Sequence, residues 1–312
     1  MRKSITGRLH RDDRVKKDEK PWVHRVGPPL SPISILLIVT LVFLAGVLAL
    51  ASSACTTQSA VSTHTDNFTV SVPITLEVTS LGGRIQVNAG PDNVVTVRAE
   101  LRDIRRISYE AIQSGDDIIV TAEKTGKWWF PAGNTRADIY LTVPANTALR
   151  LKTTDGKIDV QGTTSGGIIE TSNGVITLEQ VKGDFEATTS NGKVEINTIE
   201  GSALVRTSNG KVDVQKAKGE FDIKSSNGNV SFSGEMGPGG SNRLVTTNGN
   251  VDVELAGPPS VHLNASTSTG EIKHPDVAML ATRTDTDHLI GTIGAGEADL
   301  YIDTSNGDVT IT

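Results

Sequence analysis

The chain has a single cysteine, Cys55, among 312 residues. No disulfide can therefore form within it, and its stability must come from packing and backbone pairing. Aromatics are scarce, with three Trp, three Tyr and six Phe, so a core would have to be filled by Val, Ile, Leu, Ala and Thr. No Walker loop, paired CxxC, GxSxG or HExxH occurs, which removes the usual signatures of nucleotide, redox, serine-hydrolase and zinc-protease chemistry. Positive charge is concentrated at the start. Residues 1–30 hold nine Lys/Arg against four Asp/Glu, a balance of +5, so with a net charge of −6 the remainder carries −11. An acidic body repels phosphates, which argues against nucleic acid as the main partner.

Only one long apolar run is present. Residues 33–54 read ISILLIVTLVFLAGVLALASSA, 22 residues without a charge, about the length a helix needs to cross a hydrocarbon core of roughly 30 Å. The basic residues precede it, so the positive-inside rule keeps residues 1–32 in the cytoplasm and exports the rest of the chain. The expectation is a single-pass cell-membrane protein with an extracytoplasmic body. A lipoprotein anchored at Cys55 is the alternative, with SSAC as a lipobox-like site; Ser52 stands where such sites favour Leu, and the leader is long. Residues 55–66, TTQSAVSTHTD after Cys55, read as a flexible spacer, and folded sequence is expected from Asn67.

Residues 67–150 contain less regular strand patterns such as LEVTS, RIQVN and ADIYLTV. From residue 151 a repeat takes over. RTSNGKVDVQ (206–215) echoes TTSNGKVEIN (188–197), KTTDGKIDVQ (152–161), ETSNGVITLE (170–179), KSSNGNVSFS (224–233), VTTNGNVDVE (245–254), STSTGEIKHP (266–275) and DTSNGDVTIT (303–312). Gly156, Gly174, Gly192, Gly210 and Gly228 lie 18 residues apart, Gly249 and Gly270 follow at 21, and Gly183, Gly201 and Gly219 fall midway. A motif that returns eight times is architecture, and a fixed period near 20 marks a solenoid.

Side chains alternate within each unit: Val212 and Val214 share one face, Lys211, Asp213 and Gln215 the other. The pairs Asn173–Gly174, Asn191–Gly192, Asn209–Gly210, Asn227–Gly228, Asn248–Gly249 and Asn306–Gly307 are expected to turn corners, because Gly and then Asn best tolerate φ > 0. The Thr or Ser before them can cap the corner. The same pattern also fits an antiparallel meander of hairpins, in which Arg206 would face Asp213 and Ile223 would face Phe232. The parallel solenoid is preferred because it gives every unit the same neighbours.

These repeats, with LEVTSLGGRIQV (76–87), LTVPANTALRLKTTDGKIDV (141–160) and the closing GTIGAGEADLYIDTSNGDVTI (291–311), resemble the bacterial DUF4097 family of candidate adhesins over residues 67–312. The resemblance implies a right-handed parallel β-helix, a membrane-attached or exported protein, and a link in some members to envelope stress. It implies no catalytic residue and no cofactor.

Outside the repeat, GKWWFPAGN (126–134) places Trp128, Trp129 and Phe130 together. Neighbouring aromatics in a strand point to opposite faces, so this segment is either a ligand contact or a plug over the end of the core. His274 with Asp276, and Asp285, Asp287 and His288, are a conceivable metal set, but their spacing places no ligands on one face and solvated loops are expected instead. The acidic row Asp159, Glu195, Asp213 and Asp252 is accompanied by Lys157, Lys193 and Lys211, which suits a self-neutralised face better than a catalytic pair. The expected function is a non-enzymatic envelope scaffold or adhesin that binds glycan, a surface protein or a cationic peptide. A carbohydrate-active β-helix enzyme, lyase or hydrolase, is the alternative.

Overall fold

The computed structural model describes residues 61–71, 73–126, 135–275 and 277–312. The apolar segment 33–54, Cys55, and Trp128, Trp129 and Phe130 lie outside the described residues. Ser59–Thr312 forms one compact unit.

The described chain opens with β1 (Val61–Thr69), β2 (Ile74–Ser80), β3 (Ile85–Gly90) and β4 (Val94–Arg102). A single 3-10 turn (Ile104–Arg106) leads to β5 (Ile107–Ser114), β6 (Asp117–Lys124) and β7 (Arg136–Pro144). The repeats follow as β8 (Thr147–Thr153), β9 (Ile158–Gln161), β10 (Gly167–Thr171), β11 (Ile176–Lys182), β12 (Phe185–Thr189), β13 (Val194–Thr207), β14 (Val212–Ser225), β15 (Val230–Met236), β16 (Ser241–Asn248) and β17 (Val251–Leu255). The last strands are β18 (Val261–Thr269), β19 (Ile272–Lys273), β20 (Leu280–Thr284), β21 (His288–Ile293), β22 (Ala298–Asn306) and β23 (Val309–Ile311).

Pairing between coils is parallel, as in a solenoid. Arg206 lies beside Thr188 on one side and Lys224 on the other, each one coil away, and Ile223 lies beside Val205 and Leu244. The hairpin meander would have placed Arg206 against Asp213. One wall runs β6, β2, β8, β10, β12, the second half of β13, the second half of β14, β16, β22, β18. The other runs β7, β3, β9, β11, the first half of β13, the first half of β14, β15, β17, β23, β19. Inward Val, Ile, Leu and Phe from both walls fill the core, in which the rings of Phe221 and Phe232 meet at 5.0 Å.

The order of those walls is not the order of the chain. The coil β6–β7 lies outside β2–β3, although β2–β3 comes first and β8–β9 is its other neighbour. At the far end the last coil, β22–β23, is inserted between β16–β17 and β18–β19. Antiparallel strands then close both walls at the first end, β5 on β6, and β4 on β7 with β1 outermost, and the first wall at the other end, β21 on β18 with β20 on β21. Antiparallel strands stop the parallel stacking from templating further coils.

One boundary read from the sequence changes. Residues 61–66, read as spacer, are part of β1, whose nine residues alternate between exposed and half-buried with none fully buried. A polar edge strand of this kind satisfies the backbone of β4 without contributing an apolar pattern, so composition hid it. The less regular part of the solenoid, 67–150, supplies the two coils β2–β3 and β6–β7.

Candidate functional site

The repeated Asn-Gly pairs sit at one corner, but the glycine is there for a different reason from the one its type suggests. None of Gly174, Gly192, Gly210, Gly228 or Gly249 has a positive φ. A Cβ on Gly192 would instead lie 1.6 Å from the carbonyl oxygen of Gly174, and one on Gly210 would lie 1.7 Å from that of Gly192. Successive corners stack backbone on backbone, and only glycine fits. Left-handed backbone belongs to the opposite corner, where Gln180, Thr198 and Lys216 have φ of 52, 68 and 50° and Gly183 has 97°.

Asparagine does equally specific work. Asn173 donates through Nδ2 to Asp155, Asn191 to Asn173, Asn209 to Asn191, Asn227 to Asn209, Asn248 to Asn227 and Asn306 to Asn248, all at 2.6–2.9 Å. This exposed ladder is polarised in one direction. It ends on Asp155, a carboxylate that only accepts and that meets the N–H end of the aligned amides. The hydroxyl three residues before each glycine donates to the glycine carbonyl of the neighbouring coil, as from Thr189 to Gly174 at 3.2 Å and from Thr304 to Gly249 at 2.8 Å. The caps therefore tie coils together.

On the second wall the acids and lysines of the outer face pair along it. Lys157 holds Asp159 at 2.6 Å, Lys193 pairs with Glu195 and reaches Asp213 at 3.9 Å, and Lys211 holds Asp213 at 3.2 Å. Each of these exposed pairs is worth at most about 1 kcal/mol, so the rows neutralise the surface more than they stabilise it. Asp159, Glu195 and Asp213 each face a lysine, Asp159 also lies 3.7 Å from Arg84, and Gln215 donates to Asp213. Asp285 is held by Arg283 at 2.6 Å. Among the described residues no three His, Cys, Asp or Glu side chains gather to hold a metal ion.

At the first end, β1 and β5 close over the core with a polar layer. The Tyr109 hydroxyl donates to Asp66 at 2.8 Å, and its ring lies 5.3 Å from that of His64. Burial, and then the bond to Asp66, hold the phenol protonated well above its ordinary range. Ser62 Oγ is 3.3 Å from His64 Nε2, but Asp66 is engaged by Tyr109, so the three do not form a nucleophilic relay.

The interleaved end builds a shallow concavity that the linear order conceals. Inserting β22 beside β18 sets Asp299 next to His262 and Tyr301 next to Asn264, with Thr292 of β21 on the far side of His262. These side chains line a groove of about 330 Å³ on the outer face of the first wall. His262 shares a 3.1 Å hydrogen bond with Thr292 through Nδ1. Gly296 lies flat against its imidazole, where a Cβ would come within 2.4 Å of the ring. The Arg243 guanidinium covers the Tyr301 ring at 4.9 Å. Stacking in chain order would have put residues 241–248 beside 261–269, so sequence reading missed this grouping. One signal was available: STSTGE carries Thr269 where the other corners carry Asn or Asp, so its coil belongs beyond the end of the amide ladder.

A family model described as Toastrack DUF4097 matches residues 74–312. The chain belongs to the DUF4097 family. Solved structures similar to this Toastrack chain include a candidate adhesin from Bacteroides fragilis, 13% identical, covering 80% of this chain and 97% of that one at a TM-score of 0.35. Another, from Parabacteroides distasonis, is 10% identical, with coverage of 81% and 98% and a TM-score of 0.34. A candidate cell-adhesion protein from Clostridium sporogenes is 12% identical, with coverage of 80% and 99% and a TM-score of 0.23. Among curated proteins none matches it.

Proposed function

We propose that this Toastrack chain is a non-enzymatic binding and scaffolding module of the cell envelope. Residues 33–54 anchor it as a single membrane pass, or Cys55 does so as a lipidated residue, with residues 1–32 in the cytoplasm and the solenoid outside. The observation that carries this reading is the outer surface itself. Three of its four carboxylates at equivalent positions, Asp159, Glu195 and Asp213, are matched by lysines, and its corner amides bond to one another, so the repeat offers an extended polar surface for contact. The glycosidase alternative needs two carboxylates free to act on a substrate from contrasting environments, and Asp159, Glu195 and Asp213 are each engaged by a lysine.

Envelope glycan is the occupant that such a surface suits first; a surface protein, or a cationic peptide drawn by the −11 body in a stress-sensing role, are the others. The test is co-sedimentation of Ser59–Thr312 with isolated envelope fractions at low and high salt. Pelleting that survives high salt is expected for glycan or protein contact, and loss in a Trp128→Ala/Trp129→Ala variant would assign that contact to the aromatic segment. Pelleting only at low salt would point to a cationic partner. Absence of pelleting with every fraction would contradict the adhesive reading.

A further inference from the structure

The geometry points to a saccharide subsite in the groove formed by His262, Asn264, Thr292, Asp299 and Tyr301, one that takes a short neutral oligosaccharide of one or two rings. The inference rests on the binding-module reading and gives it a location. Three features carry it.

Uncommitted polar groups converge there. Elsewhere on the same wall, Lys152 is engaged with Glu170, Arg206 with Asp222, and Ser266 with Asp303. In the groove, the Asp299 carboxylate, the Asn264 amide, the Tyr301 hydroxyl and Nε2 of His262 have no protein partner among the described residues. They lie on adjacent strands, about 4.8 Å apart in backbone spacing, so one sugar ring can reach groups on both strands.

Two of these groups are held in place. His262 is fixed between Thr292 and the bare Cα of Gly296. The Tyr301 ring is fixed under Arg243. A positioned aromatic offers an apolar face against which the C–H side of a pyranose can lie, and fixed partners lower the ordering cost of binding.

The charge and size select among ligand classes. Asp299 and the Arg243 guanidinium over the Tyr301 ring offset each other, so the groove favours neither sign of ligand charge. A metal cation would find one carboxylate, and an apolar ligand would leave four polar groups unpaired. A neutral polyol pairs with all of them. A volume of about 330 Å³ is at the small end of ligand sites, which suits one or two rings and not a long polymer.

The test is saturation-transfer difference NMR on the full chain, held in a detergent without a sugar headgroup. The probes are maltose, cellobiose, lactose and N,N′-diacetylchitobiose at millimolar concentration. At least one is expected to receive saturation, with the effect cut roughly tenfold or more in Tyr301→Ala and in Asp299→Ala. Asp299→Ala should keep the wild-type melting temperature, since that side chain is exposed. Tyr301→Ala, which removes a half-buried ring under Arg243, should keep the wild-type circular dichroism spectrum, and Lys211→Ala on the other wall should bind as wild type. Failure of all four probes, or equal signals in Tyr301→Ala and Asp299→Ala, would overturn the subsite. If all four probes fail and the wild-type chain still pellets with envelope, the subsite fails and the binding-module reading survives. Saccharide binding without envelope pelleting keeps the subsite and removes the adhesive role.

Discussion

The middle of the solenoid and its two ends solve the same problem by different means. In the middle, from β8 to β15, each coil lies on the one before it, and one short sentence of sequence suffices: a hydroxyl to tie the corners, an Asn for the ladder, a Gly where backbones touch. At the ends a coil that copied this plan would expose an open core and an unpaired edge. There the chain leaves a gap, lays down capping strands and returns to fill the gap. Repeat identity thus specifies a neighbour, while long-range insertion specifies where the stack stops.

The largest effect is expected in the middle. Gly210→Ala places a methyl 1.7 Å from the Gly192 carbonyl oxygen, and the coils must separate to admit it. A loss of at least about 3 kcal/mol is expected from such overpacking, measured by chemical denaturation. Gly237→Ala is the control, because its added methyl would have no neighbour closer than 3.5 Å; equal losses at both positions would contradict the close-approach account.

Next comes the joint of the inserted coil. Asn242 is buried, accepts the Phe221 N–H at 2.9 Å and donates to the Asp299 carbonyl at 3.1 Å, so one side chain bridges β14 and β22 across β16. Asn242→Ala leaves two backbone groups unpaired, and a cost of about 2–4 kcal/mol is expected. Hydrogen exchange should show faster opening in β22–β23 and β18–β19 than in β8–β13. Uniform acceleration along the chain would mean that the end is not a separate cooperative unit.

Asn209→Ala breaks the exposed ladder at its centre and removes two amide–amide bonds. A smaller loss, about 1–2 kcal/mol, is expected. A substitution at Asn306, which has a bond on one side only, should cost less; the reverse order would remove the ladder as a cooperative element.

The same contrast decides how much was legible in the sequence. The 18-residue spacing of Gly156 to Gly228 gave the coil length, and the parity of Val212 and Val214 gave the inward face; both depend only on neighbours in the chain. The reason for the glycines was not legible, because a tight turn and a close approach select the same residue. The strand at Val61–Thr69 was hidden by its polar alternation. The groove residues His262, Asn264, Asp299 and Tyr301 were hidden because their adjacency arises from inserting the last coil, and no local pattern encodes that. Thr269 in place of Asn in the corner motif was the one trace of it.

The smallest effect concerns the outermost coil of the interleaved end. The hydrogen bond to Lys273, then the Glu271 N–H, holds the Asp308 carboxyl below its usual range, and Asp308 in turn raises Lys273. A lowered carboxyl stabilises the fold above its ordinary range and loses that contribution as pH falls through its folded value; a raised lysine contributes below its ordinary range and loses it as pH rises. Lys273→Met should therefore lower the melting temperature slightly at neutral pH and less in acid. A difference independent of pH would show that the pair does not link β19 to β23.

The most direct test of the interleaved order is disulfide trapping in a Cys55→Ser background, which removes the only native thiol. Asp252 lies opposite Thr310, and Thr310 opposite Lys273. Cysteine pairs at 252/310 and 310/273 then sit about 4.8 Å apart across one strand spacing and should oxidise readily. A pair at 252/273 is separated by two spacings, roughly 10 Å, beyond the reach of a disulfide, and should stay reduced. Rapid closure of 252/273 with 252/310 left open would show that the coils stack in chain order, and the interleaved end, with the groove it builds, would be wrong.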